Sequence, residues 1–238
     1  MILFVLAATL AAAPPASSAP ACPDGTTADA YACRAVAANS AGNPAASAEA
    51  FEQAALVAKE GTERAHMLAA AGNMWIAANQ PGRAAVALDK ALAGTGLQAE
   101  QRGEALLDRA RAAEVQNDLK TARSRVAEAA QTISEDPFLW YFSAALAIRE
   151  GNAPRAKEDI NRALSLAPND QDVLFEAGHV YQFAGETEKA RDYWTRSWTA
   201  NVNSKVGKAA QEALSMLPRQ PADGASGPPV KPAPIKPK

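Results

Sequence analysis

A chain of 238 residues with a formal net charge of −2 has no basic excess with which to hold a polyanion, so nucleic acid is not among its expected partners. Alanine dominates the composition and aromatics are only 6%, which suits closely packed helices, because alanine has the highest helix propensity and lets backbones approach. The charge is uneven. Beyond Leu217, the bases Arg219, Lys231, Lys236 and Lys238 stand against one acid, Asp223, leaving the tail at +3 and the rest at −5.

The chain opens with MILFVLAATLAAA, an apolar run of 13 residues. A membrane-spanning helix needs about 20. The run matches the core of a secretory signal, and Ala19-Pro20-Ala21 offers small residues ahead of Cys22. Residues 1–21 are therefore expected to be a signal peptide, although no positive charge precedes the run. Lipidation of Cys22 is the alternative, against which Ala19 stands where a bacterial lipobox has leucine. The expected location is periplasmic or secreted, with no integral membrane span after cleavage. Cys22 and Cys33 are the only cysteines. In an oxidising compartment they read as one disulfide over Pro23-Asp24-Gly25, contributing ~3 kcal/mol in the chain-entropy model. The alternative is two unconnected thiols, with Cys33 a small buried helix residue. Their spacing is neither that of a zinc finger nor that of a redox motif.

Residues 22–27 read as irregular. A helical pattern starts near Ala28 with Tyr31, Ala35 and Ala38, and breaks at Ala41-Gly42-Asn43-Pro44. Asn43 as N-cap and Pro44 in the first turn start the next helix, with Ala48, Phe51, Ala54, Ala55 and Ala58 at helical spacing up to Gly61. Thr62 opens another helix, with Glu63 placed to favour the helix dipole and a stripe of Leu68, Ala71, Gly72 and Trp75. After a turn at Asn79-Gln80-Pro81-Gly82, Ala84, Leu88 and Ala91 form its partner. Four extra residues, 99–102, lengthen the next connection. Leu106, Ala110 and Ala113, a turn at Asn117-Asp118, then Ala122, Val126 and Ala129 make another pair.

From 137 onward the pattern is clearest. Segments 137–170 and 171–204 align without gaps in a 34-residue register, Trp140 facing Leu174, Gly151 facing Gly185, Ala156 facing Ala190 and Ile160 facing Trp194. A fixed period of this size signals helix pairs, each too small to bury its own apolar face. Units are expected at 28–61, 65–98, 103–136, 137–170 and 171–204, closed by a capping helix over 206–217 that presents Val206, Ala210, Leu214 and Leu217. From Pro218, seven prolines among 21 residues exclude a helix or a core, so 218–238 is expected to be a disordered, partly polyproline-II tail. That tail is either an unstructured soluble end, or a basic polyproline ligand or weak contact for an anionic envelope surface.

These residues resemble the tetratricopeptide repeat family, in an exported bacterial form. That family's first helix runs W-x2-L-G-x2-Y and its second A-x3-F-x2-A, with proline closing the unit. Leu174-x2-Ala177-Gly178-x2-Tyr181 and Leu68-x2-Ala71-Gly72-x2-Trp75 copy the first part. Ala84-x3-Leu88-x2-Ala91, Ala122-x3-Val126-x2-Ala129, Ala156-x3-Ile160-x2-Ala163 and Ala190-x3-Trp194-x2-Ser197 copy the second, and Pro168 closes its unit. Small residues (Ala110, Ala144, Gly178, Ala156, Ala190) suit helix crossings, while Trp75, Trp140, Leu174 and Trp194 fill the wedges between pairs. Two departures stand out. Arg109 occupies an apolar or small slot, which works against a tight junction there although a long arginine can keep its head in solvent, and Ser134, Gly96 and Val202 replace the closing proline. The resemblance covers about 28–217. It implies an all-α fold, a right-handed α-solenoid of antiparallel helix pairs, serving as a non-enzymatic scaffold for a protein or peptide partner.

No cofactor or metal is expected. The two histidines, His66 and His179, are far apart, and no HExxH, Cys/His cluster or phosphate-cradling glycine loop occurs. Ser143 and Ser197 read as small core residues and the acids as a solvated face. An enzyme with an unrecognised site is a remote alternative. A self-associating structural protein of the periplasm is a nearer one. In tetratricopeptide arrays the first helices line a concave groove, and the resemblance places Asn73, Arg111, Glu114, Tyr141, Arg149, Phe175, His179, Gln182 and Phe183 on it. Aromatics with arginine have hot-spot composition. The plainer reading of Phe175 and Phe183 is padding against the capping helix.

Overall fold

The computed structural model describes residues 22–218. The expected signal peptide, and all but the first residue of the expected tail, lie outside them. Among the described residues the chain forms eleven α-helices and no strand, and divides into two compact units, one up to Gln116 and one from Asn117.

The first unit holds α1 (Ala28–Ser40), α2 (Pro44–Val57), α3 (Thr62–Ala77), α4 (Pro81–Leu92) and α5 (Ala99–Val115). Short turns make consecutive helices antiparallel. Asn43 caps α2 by accepting from the Ala46 N–H (3.0 Å), and Pro44 and Pro81 sit in first turns where no donor is lost. The α3–α4 turn passes through Asn79 at φ 55°, a left-handed conformation that asparagine tolerates better than most residues. Trp75 is fully buried; its indole N–H donates to Glu52 (2.9 Å) and its face carries the Arg83 guanidinium 3.4 Å from the centroid. Gly72 lets α4 approach, because a Cβ there would overlap Leu88. Cys22 and Cys33 are joined, with Cα atoms 5.6 Å apart, and Arg34 donates to the Gly25 carbonyl (3.0 Å) of the closed loop. Arg109 does not keep its head in solvent. It is 14% exposed and donates through Nε to Asp89 of α4 (2.8 Å), which turns a misfit into an ion pair.

The second unit holds α6 (Leu119–Ala129), α7 (Pro137–Arg149), α8 (Ala153–Leu166), α9 (Gln171–Phe183), α10 (Thr187–Ala200) and α11 (Lys205–Met216). Asp118, Asp136, Asn152, Asp170 and Ser204 all cap helices through side-chain oxygens, each contributing ~1 kcal/mol. Ala144, Ala156, Ile160, Val173, Ala177 and Trp194 are among the core residues. Gly178 faces Trp194 so closely that a Cβ would overlap the indole, whose N–H donates to the Phe175 carbonyl (3.1 Å).

One expectation about polar residues needs correction here, that of the acids as a solvated face. Ser143 and Ser197 are buried, as expected of small core residues, and hydrogen-bonded. Ser197 donates to the Gln171 carbonyl (3.0 Å), and Ser143 to the Asp159 carboxylate (2.5 Å). Asp159 is no part of a solvated face, being 4% exposed. Arg123 of α6 donates to Ser143 (2.7 Å) and to both carboxylate oxygens of Glu150 (3.0, 3.2 and 2.6 Å), and Arg155 lies 3.5 Å from Asp159. Burial raises the Asp159 pKa, while Ser143, Arg155 and Arg123 pull it back.

Candidate partner-binding surface

The sequence-predicted surface residues fall into both units. In the first unit, Asn73 of α3 and Arg111 of α5 converge on one acid, Asp108. Asn73 donates to one carboxylate oxygen (2.7 Å) and Arg111 to the other (2.9 Å). Glu114 lies one helical turn beyond Arg111 on α5.

In the second unit, four of the predicted residues lie along α9. Phe175, His179 and Phe183 follow at four-residue spacing, which places them on one face, and Gln182 lies beside Phe183. Phe175 is packed against the core and meets His179 edge-on at 4.6 Å; His179 in turn meets Trp194 at 5.2 Å. Burial lowers the His179 pKa, so the ring is neutral at pH 7. Gln182 is exposed and Phe183 is 41% exposed. Tyr141 and Arg149 lie on α7. Tyr141 packs on the core with Phe138 edge-on at 4.7 Å, and Arg149 donates to the Asn117 side chain (2.9 Å). Phe175 and Tyr141 are thus partly taken up by core packing, whereas Phe183 is the more exposed of the three aromatics.

Sequence reasoning passed over Glu176. It sits on α9 one residue after Phe175, half-buried, and among the described residues no donor or cation reaches its carboxyl. Burial alone pushes its pKa up to about 8. The signal that could have found it is the repeat register. Glu176 stands two residues after Leu174, Asp108 two after Leu106, and Phe142 occupies the place in 137–170.

Outside these residues, the first unit has a cleft of about 430 Å³ between α2 and α4, with Leu56, Leu68 and Val86 among its walls. Leu56 is 71% exposed and Val86 56%. Among the described residues no cluster of three metal-ligating side chains occurs, and no helix is long and apolar enough to cross a membrane.

Antiparallel helix pairs in a 34-residue register, with a small residue at each crossing and a large one filling each wedge, define the tetratricopeptide repeat fold. The chain has that fold. It is similar to the crystal structure of PilW, described as a widely conserved type IV pilus biogenesis factor (TM-score 0.65, 17% identity, 76% of this chain and 81% of that one). It is also similar to PilF of Pseudomonas aeruginosa (TM-score 0.63, 15% identity, 79% and 82%). A third neighbour is YrrB, described as a TPR protein with an unusual peptide-binding site (TM-score 0.55, 17% identity, 78% and 92%). At these identities the likeness is one of fold. No family model matches the chain, and no curated protein is similar to it. This chain shares the architecture of these neighbours.

Proposed function

We propose that the protein is a non-enzymatic scaffold that holds a protein or peptide partner on the faces of its first helices, and that it works in the bacterial envelope. The observation that carries the binding reading is the α9 face. It presents a half-exposed phenylalanine two turns beyond an uncompensated acid, with an exposed glutamine beside the phenylalanine, next to a rigid aromatic ladder of Phe175, His179 and Trp194. Rigid aromatics beside a polar group are the usual anchor of an interface. Tyr141 and Arg149 are kept as further members of the binding surface of the second unit, and Asn73 and Arg111 as candidates on the first unit by itself. The Cys22–Cys33 bond supports an oxidising compartment, and the role of PilW as a type IV pilus biogenesis factor is in keeping with an envelope location.

The test uses Gln182 and Phe183, whose side chains face solvent. Replacing both by alanine should abolish recovery of cross-linked partners from the native host while the helical circular dichroism stays unchanged. Full recovery with the double variant would remove the α9 face from the reading.

A second reading, self-association, is favoured by the exposed Leu56 and Val86 beside the α2–α4 cleft. Light scattering decides it: a concentration-dependent rise in mass that Leu56→Lys removes supports self-assembly, and a strict monomer at high concentration excludes it.

A further inference from the structure

The acid on the α9 face points to the chemistry of what binds there. Asp108 and Glu176 occupy the same repeat position. At Asp108 the protein supplies both partners itself: Arg111 three residues on, and Asn73 from the first helix before it. In the second unit the residue three on is His179 and the residue in the place of Asn73 is Ala145. One is an imidazole that burial keeps neutral, and the other has no polar group. No donor from α9 or from the helices packed against it reaches the carboxyl among the described residues. A half-buried carboxyl without a partner is costly, and proteins retain such groups chiefly where something else completes them.

We infer that Glu176 receives the arginine side chain of an extended peptide or protein segment lying along α9. Arginine fits better than lysine on two counts. Its planar guanidinium pairs with a carboxylate in a fixed two-point geometry, and it is weakly hydrated, so it enters a half-buried site at small desolvation cost. The bound guanidinium does for Glu176 what Arg111 does for Asp108. An ionised Glu176 then becomes the stable form, in place of the protonated acid that burial favours in the free protein.

This inference rests on the α9 face being the binding surface, and the experiment separates the two. The probe is acetyl-Ala-Arg-Ala-amide, with the same peptide carrying citrulline as its neutral isostere. The full chain, labelled at glutamate side chains, is titrated with each and followed by NMR. The arginine peptide is expected to shift the Glu176 carboxyl and α9 amide signals saturably. The citrulline peptide, and the arginine peptide on E176Q, should each bind roughly ten-fold more weakly, the size of one charge-assisted hydrogen bond. Equal binding of the two peptides, no saturable shift with either, or full binding by E176Q overturns the assignment. If partner recovery from the host depends on Phe183 but not on Glu176, the surface stands and the arginine inference falls. If the peptide effects depend on Glu176 while recovery ignores Phe183, the acid binds arginine but the α9 face is not the partner surface.

Discussion

At one repeat position each unit carries an acid, and the two are treated differently. Asp108 is closed by Asn73 and Arg111 at 2.7 and 2.9 Å, so that carboxylate is part of the scaffold. Glu176, in the same register, is half-buried and unanswered, and its pKa rises to about 8. Asp159 shows that the second unit can also complete a buried acid: it gathers Ser143, Arg123 and Arg155 around one carboxylate. The lesson is that a missing partner, against a background of completed ones in the same repeats, marks a place left for another molecule.

The comparison can be broken first at its best-satisfied member. Arg123→Met removes the cation that links α6 to Ser143, Glu150 and Asp159, and leaves a buried acid with Arg155 as its one cation beside the Ser143 hydroxyl. A loss of about 3 kcal/mol is expected in urea unfolding, because removing one side of a buried pair strands the other. A loss below 1 kcal/mol would mean that the network is not holding α6.

The next effect is in pH. Folded Glu176 keeps its proton up to about pH 8, against 4.5 for the unfolded chain. Between those values the folded state holds more protons at this group, so its contribution to stability is greatest below about pH 4.5 and falls as the pH rises through the window. For a half-buried group about 2 kcal/mol is expected, less than the full shift implies at ~1.4 kcal/mol per unit. The decline should be missing from E176Q, and equal slopes for the two proteins would remove the account of the carboxyl.

A third variant makes the second unit resemble the first. A145N with H179R places at Glu176 the two groups that serve Asp108. The Glu176 pKa, read by NMR, should drop by about 2 as a guanidinium arrives, and the arginine peptide should no longer bind. The smallest expected effect on stability is that of Phe183→Ala, about 1 kcal/mol because the ring is only partly buried. Its effect on partner recovery should be large.

The fold was legible because its period is carried by residue size. Gly72 against Leu88, Gly178 against Trp194, and the alanines at the crossings can be read without knowing what lies across from them. Helix starts were legible too, as Asn43, Asp136 and Ser204 carry caps in their own sequence neighbourhood. The polar interior was not. Arg109 finds Asp89 20 residues away, and Ser143 finds Asp159 16 residues away on the next helix. A carboxyl's burial depends on its neighbours in space, which hydrophobic patterning does not record. Glu176 was hidden for the same reason, and only the comparison with Asp108 in register brings it out.

The most direct test of the binding surface is a photo-crosslinking amino acid placed at Phe183, with a second placed at the exposed Thr195 of α10 as control, in the native host. A discrete adduct from position 183 that is absent from position 195 is the predicted result. No adduct at 183, or the same adducts from both positions, would contradict the claim that this protein binds its partner along α9.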